Sequence, residues 1–279
     1  MAFAKTKILK QANIFMMNSI DQIVSETIEV AKKAGRFIRK ESEGFDSSKI
    51  ETKGLHDLVS YVDRNAEKII IEGLQEILPE SGFLTEEGMI ESERKEYTWI
   101  VDPLDGTTNF LHGLPIYAVS IALMHNDELL LGVVFEPNRD EVFSAIKGKG
   151  AFCNGERISV SDKSDLGESL IATGFPFTYF EHLDSYLKIL ESLMRSTHGI
   201  RRMGTAAVDL VYVACGRMDA FFEYNLKPWD VAAGALIVSE AGGQVSDFHA
   251  GGDYVFGKEI VAGGNVTKQL LASISKYWK

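Results

Sequence analysis

The sequence predicts an α+β chain with its elements stacked in layers, folded as one compact unit. Three observations predict it. Strand-like runs at 118–124, 128–136 and 141–146 are joined by the short turns His125-Asn126-Asp127 and Pro137-Asn138-Arg139-Asp140, which makes an antiparallel meander. Segments with apolar residues every three to four positions stand before and after that meander. No low-complexity linker or short repeat divides the 279 residues, and a 45% apolar content can bury a sizeable core.

The elements follow in order. Residues 1–18 carry lysines, but the apolar run Ile14-Phe15-Met16-Met17 is too short for a signal segment. They read as a loosely ordered extension, with Met16 or Met17 as an alternative start, ahead of a single domain over 19–279 whose halves divide near residue 162. Ile20, Ile23, Val24, Ile28, Ala31, Ala34 and Ile38 predict an amphipathic helix over 19–42. The polar stretch ESEGFDSSKIETKG reads as a loop. Residues 57–78 are helical again, ended by Pro79 and Gly82. A strand at 98–101 precedes the meander, and Cys153-Asn154-Gly155-Glu156 makes a turn after it. Beyond residue 162, strands at 169–173, 220–223 and 260–262 alternate with helices at 179–196, 204–216, 231–241 and 266–277. Gly242-Gly243 suits the end of the third of these helices.

Composition excludes some functions. The formal net charge of −11 disfavours nonspecific binding to nucleic acid or an anionic membrane. No window approaches the ~20 apolar residues of a membrane span. Cys153 and Cys215 are too few for a disulfide framework and lack neighbours at metal-ligand spacing. They read as small core residues in a reducing cytoplasm.

The chemistry concentrates in YTWIVDPLDGTTNF, residues 97–110. Pro103 biases Asp102 to extended backbone, so a strand runs up to it. Gly106 permits a tight turn with positive φ. Thr107, Thr108 and Asn109 are helix-start residues. A strand, an acidic turn and a helix N-terminus therefore follow one another. Free N–H groups and the positive dipole end suit a phosphate, whereas the carboxylates repel one unless cations intervene. Asp102, Asp105 and the Leu104 carbonyl are an all-oxygen, hard donor set suited to Mg²⁺. Taken alone this stretch reads as a surface turn rich in Asp and Gly. Glu86-Glu87 before Gly88, Trp229-Asp230 before an Ala-rich helix, and Asp57 and Asp63 near a helix start add acids, each of which alone reads as a loop or cap residue.

Taken together the chain resembles the inositol monophosphatase family. The likeness lies in an ordered set: Lys53-x-x-x-Asp57-Leu58-Val59-Ser60-x-x-Asp63, Glu86-Glu87-Gly88, Asp102 to Phe110, Gly204-Thr205-Ala206-Ala207, and Trp229-Asp230-Val231-Ala232. The resemblance covers residues 20 to 263. It implies the layered αβαβα sugar-phosphatase sandwich and two to three Mg²⁺ ions. Glu86, Asp102 and the Leu104 carbonyl would hold the first ion, and Asp102, Asp105 and Asp230 the second. Glu86 would help hold a third, with Glu87 in support. Asp63 and Thr107 would position and deprotonate the attacking water, making Asp63, Thr107 and Glu86 the catalytic set. The amides of Gly106 and Thr107 would hold phosphate with Thr108 beside them. Glu86, Asp105, Ala206, Glu223 and Asp230 would line the substrate. Lithium inhibition and a homodimer are implied in the same way.

The expected activity is Mg²⁺-dependent hydrolysis of a small polyol or sugar phosphate, with inositol monophosphate first. Fructose-1,6-bisphosphatase, a 3′(2′),5′-bisphosphate nucleotidase and a non-catalytic phosphate-ligand binder or regulatory partner stand as alternatives. Glu223 favours a monophosphate. Arg201-Arg202 favours a second phosphate or is simply an exposed basic pair. Neither nucleic acid nor membrane is expected as a partner.

Overall fold

The computed structural model describes residues 2–44, 51–54, 57–91, 94–176 and 180–279, with side chains described from residue 20 onward except in 51–54 and 57–59. Helix α1 spans Ala2–Ser42. It replaces the loose extension expected over 1–18 with helical backbone, because residues 2–18 contain Ala, Lys, Leu, Gln and Met and no Gly or Pro to break a helix. The hairpin β1 (Glu51–Gly54) and β2 (Asp57–Val59) lies where a loop and a helix start were predicted. Helix α2 (Tyr61–Ile77) therefore begins later than the periodicity suggested, at the N-cap Ser60. The Lys53 and Asp57 side chains lie outside the described ones.

Strands β3 (Gly82–Thr85), β4 (Tyr97–Asp105), β5 (Ala118–His125), β6 (Glu128–Glu136), β7 (Glu141–Ile146), β8 (Gly150–Cys153) and β9 (Glu156–Ile158) pair in that order as one sheet. β3 and β4 are parallel and the later pairs are antiparallel, the predicted meander extended by one further hairpin. The short α3 (Thr107–Leu111) leaves β4 toward β5. The second half contributes β10 (Leu170–Thr173), α4 (Leu183–Ser196), β11 (Gly199–Arg201), α5 (Ala206–Ala214), β12 (Ala220–Tyr224), α6 (Pro228–Glu240), β13 (Gln244–Ser246), β14 (Glu259–Gly263) and α7 (Thr267–Ile274). Its sheet has the order β11-β10-β12-β14-β13. Residues 177–179 fall outside the description, so the predicted start of α4 at Tyr179 does too.

Three apolar layers glue these elements. Ala31, Ala34 and Ile38 of α1 and Ile70 and Leu74 of α2 bury one face of the first sheet with Trp99, Val119 and Phe135. The other face, carrying Ile100, Ala122 and Phe143, packs with Val208, Val211, Ala233 and Ile237 of α5 and α6, which also meet Phe221 and Ala262 of the second sheet. Tyr186 and Ile189 of α4 and Leu270 and Ile274 of α7 cover that sheet's far face with Phe222 and Val261. The order is thus αβαβα. α5 and α6 are buried on nearly every side, and their sequences are correspondingly apolar all round.

Candidate active site

The two acids of the DPLD stretch should point to opposite faces, since positions three apart in a strand do so. The pairing corrects this. Asp102 lies opposite Ser120 and Asp105 opposite Ala118, so β4 uses one residue more than β5 between the same two points. That is a β-bulge, and it sits at Pro103, which has no N–H to give to the ladder. The extra residue turns Asp102 and Asp105 to one side, where both line a cleft of about 480 Å³.

The cleft gathers Glu86, Asp102, Leu104, Asp105, Gly106, Thr107, Thr108, Ala206, Glu223 and Asp230, all named from sequence. Asp63 is not among its lining residues but reaches it through a hydrogen bond. At the N3 position of α2, its Oδ2 accepts from the Ser60 N at 2.8 Å and the Ser60 Oγ at 2.7 Å. Its Oδ1 accepts from the Thr107 Oγ1 at 3.0 Å. One carboxylate both caps a helix and orients a hydroxyl. The Thr107 hydroxyl also stands 3.0 Å from the Leu104 carbonyl, so its single proton has two acceptors.

Other acids are pinned by structural bonds. Asp102 Oδ1 accepts from the Leu104 N at 3.0 Å. Asp105 Oδ2 accepts from the Thr205 Oγ1 and the Ala207 N, both at 2.6 Å, at the start of α5. This ties the first half of the chain to the second. Asp230 Oδ2 accepts from the Lys227 N at 2.7 Å, so its capping role and its place in the cleft coexist. Gly174 makes room for Glu223: a Cβ there would stand 1.9 Å from its Oε1.

Gly106 has φ +98° and is itself the N-cap of α3, with no side-chain cap. The expectation that a helix dipole would attract phosphate needs adjusting. At five residues α3 has little macrodipole, and the attraction available comes from the N–H groups of the Gly106-Thr107 turn.

The electrostatics are those of crowded acids. Burial pushes Asp102 well above the usual carboxylate range, and the charges of Glu86, Asp105 and Asp230 add to it. Burial lifts Asp105 to about 6 against the bonds from Thr205 and Ala207 and the charge of Arg202. Asp230 rises to about 7 through burial and then the charge of Asp105. Glu223 rises to about 8 through burial, opposed by Arg202 and helped by Asp230 and Asp105. Burial raises Asp63 despite its hydrogen bonds. Repulsion of this kind is what divalent cations relieve, and the all-oxygen donors fit a hard ion. Among the described residues no three His, Cys, Asp or Glu side chains are already gathered tightly enough to hold a metal ion; the acids ring the cleft instead.

Among the lining residues not assigned to the site from sequence, two are charged, Asp209 and Arg202, the latter weighed only as part of a basic pair. Asp209 is 1% exposed, its Oδ1 has no hydrogen-bond partner among the described residues, and burial with the charge of Glu223 holds its carboxyl well above the usual range. A lone acid within the apolar run AAVDLVYVA was the available signal, since an acid there is costly unless it has a purpose. Of the basic pair, Arg202 lines the cleft, with its guanidinium 5.9 Å from the Phe175 ring. Arg201 is not among the lining residues, and its Nη1 donates to the Ile200 carbonyl at 2.9 Å. Cys153 and Cys215 are not among them either, and burial raises both thiols, Cys153 to about 11.

Comparison with known proteins agrees with the geometry. Residues 19–279 match the Inositol monophosphatase family. The chain is 42% identical over 255 residues to the Inositol-1-monophosphatase of Mesorhizobium japonicum, covering 91% of this chain and 96% of that one. It is 44% identical over 249 residues to the Nus factor SuhB of Escherichia coli K12, covering 88% and 93%. The crystal structure of the extragenic suppressor protein suhB from Bartonella henselae superposes with a TM-score of 0.87 at 44% identity, covering 91% of this chain and 99% of that one.

Proposed function

The chain belongs to the inositol monophosphatase family, and from that premise we propose that it is a Mg²⁺-dependent phosphomonoester hydrolase acting on a small polyol phosphate, with inositol monophosphate as substrate. The observation that carries the reading is the Asp63–Thr107 hydrogen bond at the edge of a cleft ringed by Glu86, Asp102, Asp105 and Asp230. Such a bond also satisfies a buried carboxylate in a purely structural way, but here it stands beside acids able to hold cations. For hydrolysis it is a proton path.

Glu86, Asp102, the Leu104 carbonyl, Asp105 and Asp230 would hold Mg²⁺. When bound, Mg²⁺ lowers the pKa of water and offsets the charge of the phosphate and of the departing alkoxide. The protein's own groups do the rest. Thr107 is a weak base alone, so its Oγ1 takes a proton from water only as it passes its own to Asp63 Oδ1. A Leu104 carbonyl engaged elsewhere leaves Asp63 as the acceptor. The N–H groups of Gly106 and Thr107 orient phosphate oxygens, with Thr108 at the rim. Glu223, Asp105, Asp230 and Ala206 face the alcohol, whose hydroxyls donate to the acids. Arg202 lines the cleft and its charge opposes the rise of the Asp105, Asp209 and Glu223 carboxyls, so it balances those acids, in keeping with a substrate of a single phosphate.

Phosphate release from inositol 1-phosphate, against fructose 1,6-bisphosphate and adenosine 3′,5′-bisphosphate at equal Mg²⁺, tests this. Preference for the monophosphate is expected. No release from any of the three by folded, Mg²⁺-loaded protein would leave the phosphate-ligand binder. The same reading takes the halves, 19–162 and 163–279, as one catalytic unit, and takes the protein to be a cytoplasmic homodimer. Exposed Leu187 and Met194 on α4 are apolar surface available for that contact.

A second reading draws on the 44% identity to a relative named Nus factor SuhB: a Nus-factor role for this chain, separate from hydrolysis. The expectation of no nucleic-acid partner is therefore not carried forward. Replacing the Escherichia coli protein with this chain, and with its Asp102→Asn variant, separates the readings. Rescue by both would assign the role to something other than turnover.

A further inference from the structure

Helix α2 carries a second acid one turn beyond Asp63. Glu67 is 0% exposed and is not among the residues lining the cleft. Its Oε1 accepts from the Thr85 Oγ1 at 2.9 Å and the Met89 N at 2.7 Å, and its Oε2 accepts from the Glu87 N at 2.8 Å. All three donors come from one short segment, and they flank Glu86 on both sides. Gly88, at φ +63°, turns the chain so that the amides on either side of it reach the same carboxylate. A buried carboxylate is costly unless its lone pairs are met, and an apolar residue would fill the same space without that cost. Positions four apart share a face of a helix, so Asp63 and Glu67 work from one face of α2. The first holds the Thr107 hydroxyl, and the second holds the loop that presents Glu86.

We propose that Glu67 is a positioning residue that sets Glu86 in the cleft, so that α2 registers the catalytic hydroxyl and a metal-holding carboxylate against each other. The inference rests on reading Glu86 as a Mg²⁺ ligand. Removing partners that orient a ligand commonly weakens metal affinity by about 10- to 100-fold.

Calorimetric titration of Mg²⁺ into the wild type, Glu67→Gln, Glu86→Gln and the double variant tests it. Glu67→Gln keeps the shape but puts an NH₂ against a backbone N–H. Its Mg²⁺ affinity is expected to fall by about 10-fold or more, and the double variant to bind no more weakly than Glu86→Gln alone. A merely structural role would lower melting temperature without that non-additivity. Wild-type affinity in Glu67→Gln, or a loss that adds in full to that of Glu86→Gln, overturns the inference alone. Absence of Mg²⁺ binding by the wild type overturns the metal reading and this inference with it. Should circular dichroism show Glu67→Gln unfolded, Thr85→Val, which removes one donor, carries the test: weaker Mg²⁺ binding is expected, and unchanged binding overturns the inference.

Discussion

At the scale of single residues, the site is built from acids that each do two things. Asp63 caps α2 and holds Thr107; Asp230 caps α6 and lines the cleft; Asp105 anchors α5 and lines it too. Asp63→Asn keeps an acceptor for Ser60 but is a far poorer proton acceptor. It should lower kcat by about 10²- to 10⁴-fold while circular dichroism and melting temperature stay near wild type. Glu223 carries a pH dependence. Its carboxyl is raised from 4.5 to about 8, chiefly by burial. A raised acid stabilises the fold in its protonated form, so this contribution is full below the unfolded pKa and is lost as pH rises through the folded value. The metal-free protein should therefore lose stability between about pH 5 and pH 8. Glu223→Gln should flatten that slope in thermal melts recorded across the window, and an equal slope in the variant would refute the assignment. These residues were legible because their types and order match one family's pattern. Asp209 was not, since one acid inside an apolar helix resembles noise until its neighbours in space are known.

At the scale of elements, irregularities make the site. The bulge at Pro103 aims two acids one way, and nothing in the spacing of DPLD alone reveals it, because a bulge is a relation between two strands. The meander was readable since β6 and β7 have alternating or continuous apolar runs with turn residues between them. β1, β2, β8, β9, β11 and β13 were missed, being only three or four residues long, too short for a period to show. α2 was placed early because periodicity marks a helix face and not its cap. That cap matters to function: Ser60 Oγ accepts from the Val62 N at 3.1 Å and donates to Asp63. Ser60→Ala should cost about 1 kcal/mol of stability in denaturant unfolding and lower kcat with little change in KM, since Asp63 loses one of its two anchors at Ser60. A stability loss with kcat intact would separate the cap from the catalytic dyad.

At the scale of the whole molecule, the fold brings residues from Asp63 to Asp230 around one cleft. The C-terminal ends of β3 and β4, the N-terminal ends of α5 and α6, and the end of β12 converge there. The Thr205–Asp105 bond and the bond from Asn109 Nδ2 to the Met203 carbonyl join the halves at the same place. The αβαβα order was expected from the family resemblance, and the all-round apolar sequences of the buried α5 and α6 agree with it. The convergence did not follow, because long-range pairing is set by packing, which no local pattern records. Buried carboxylates in such numbers weigh against the fold unless they are protonated, as the raised values of Asp105, Asp230 and Glu223 record, or share cations, as the proposed Mg²⁺ would allow.

The most direct test is anomalous diffraction from crystals soaked in Mn²⁺, an oxygen-loving stand-in for Mg²⁺. The account predicts peaks in the cleft coordinated by Glu86, Asp102, the Leu104 carbonyl, Asp105 and Asp230, and their loss in Asp102→Asn. An ordered cleft with no peak, or a peak unaffected by that substitution, would contradict it.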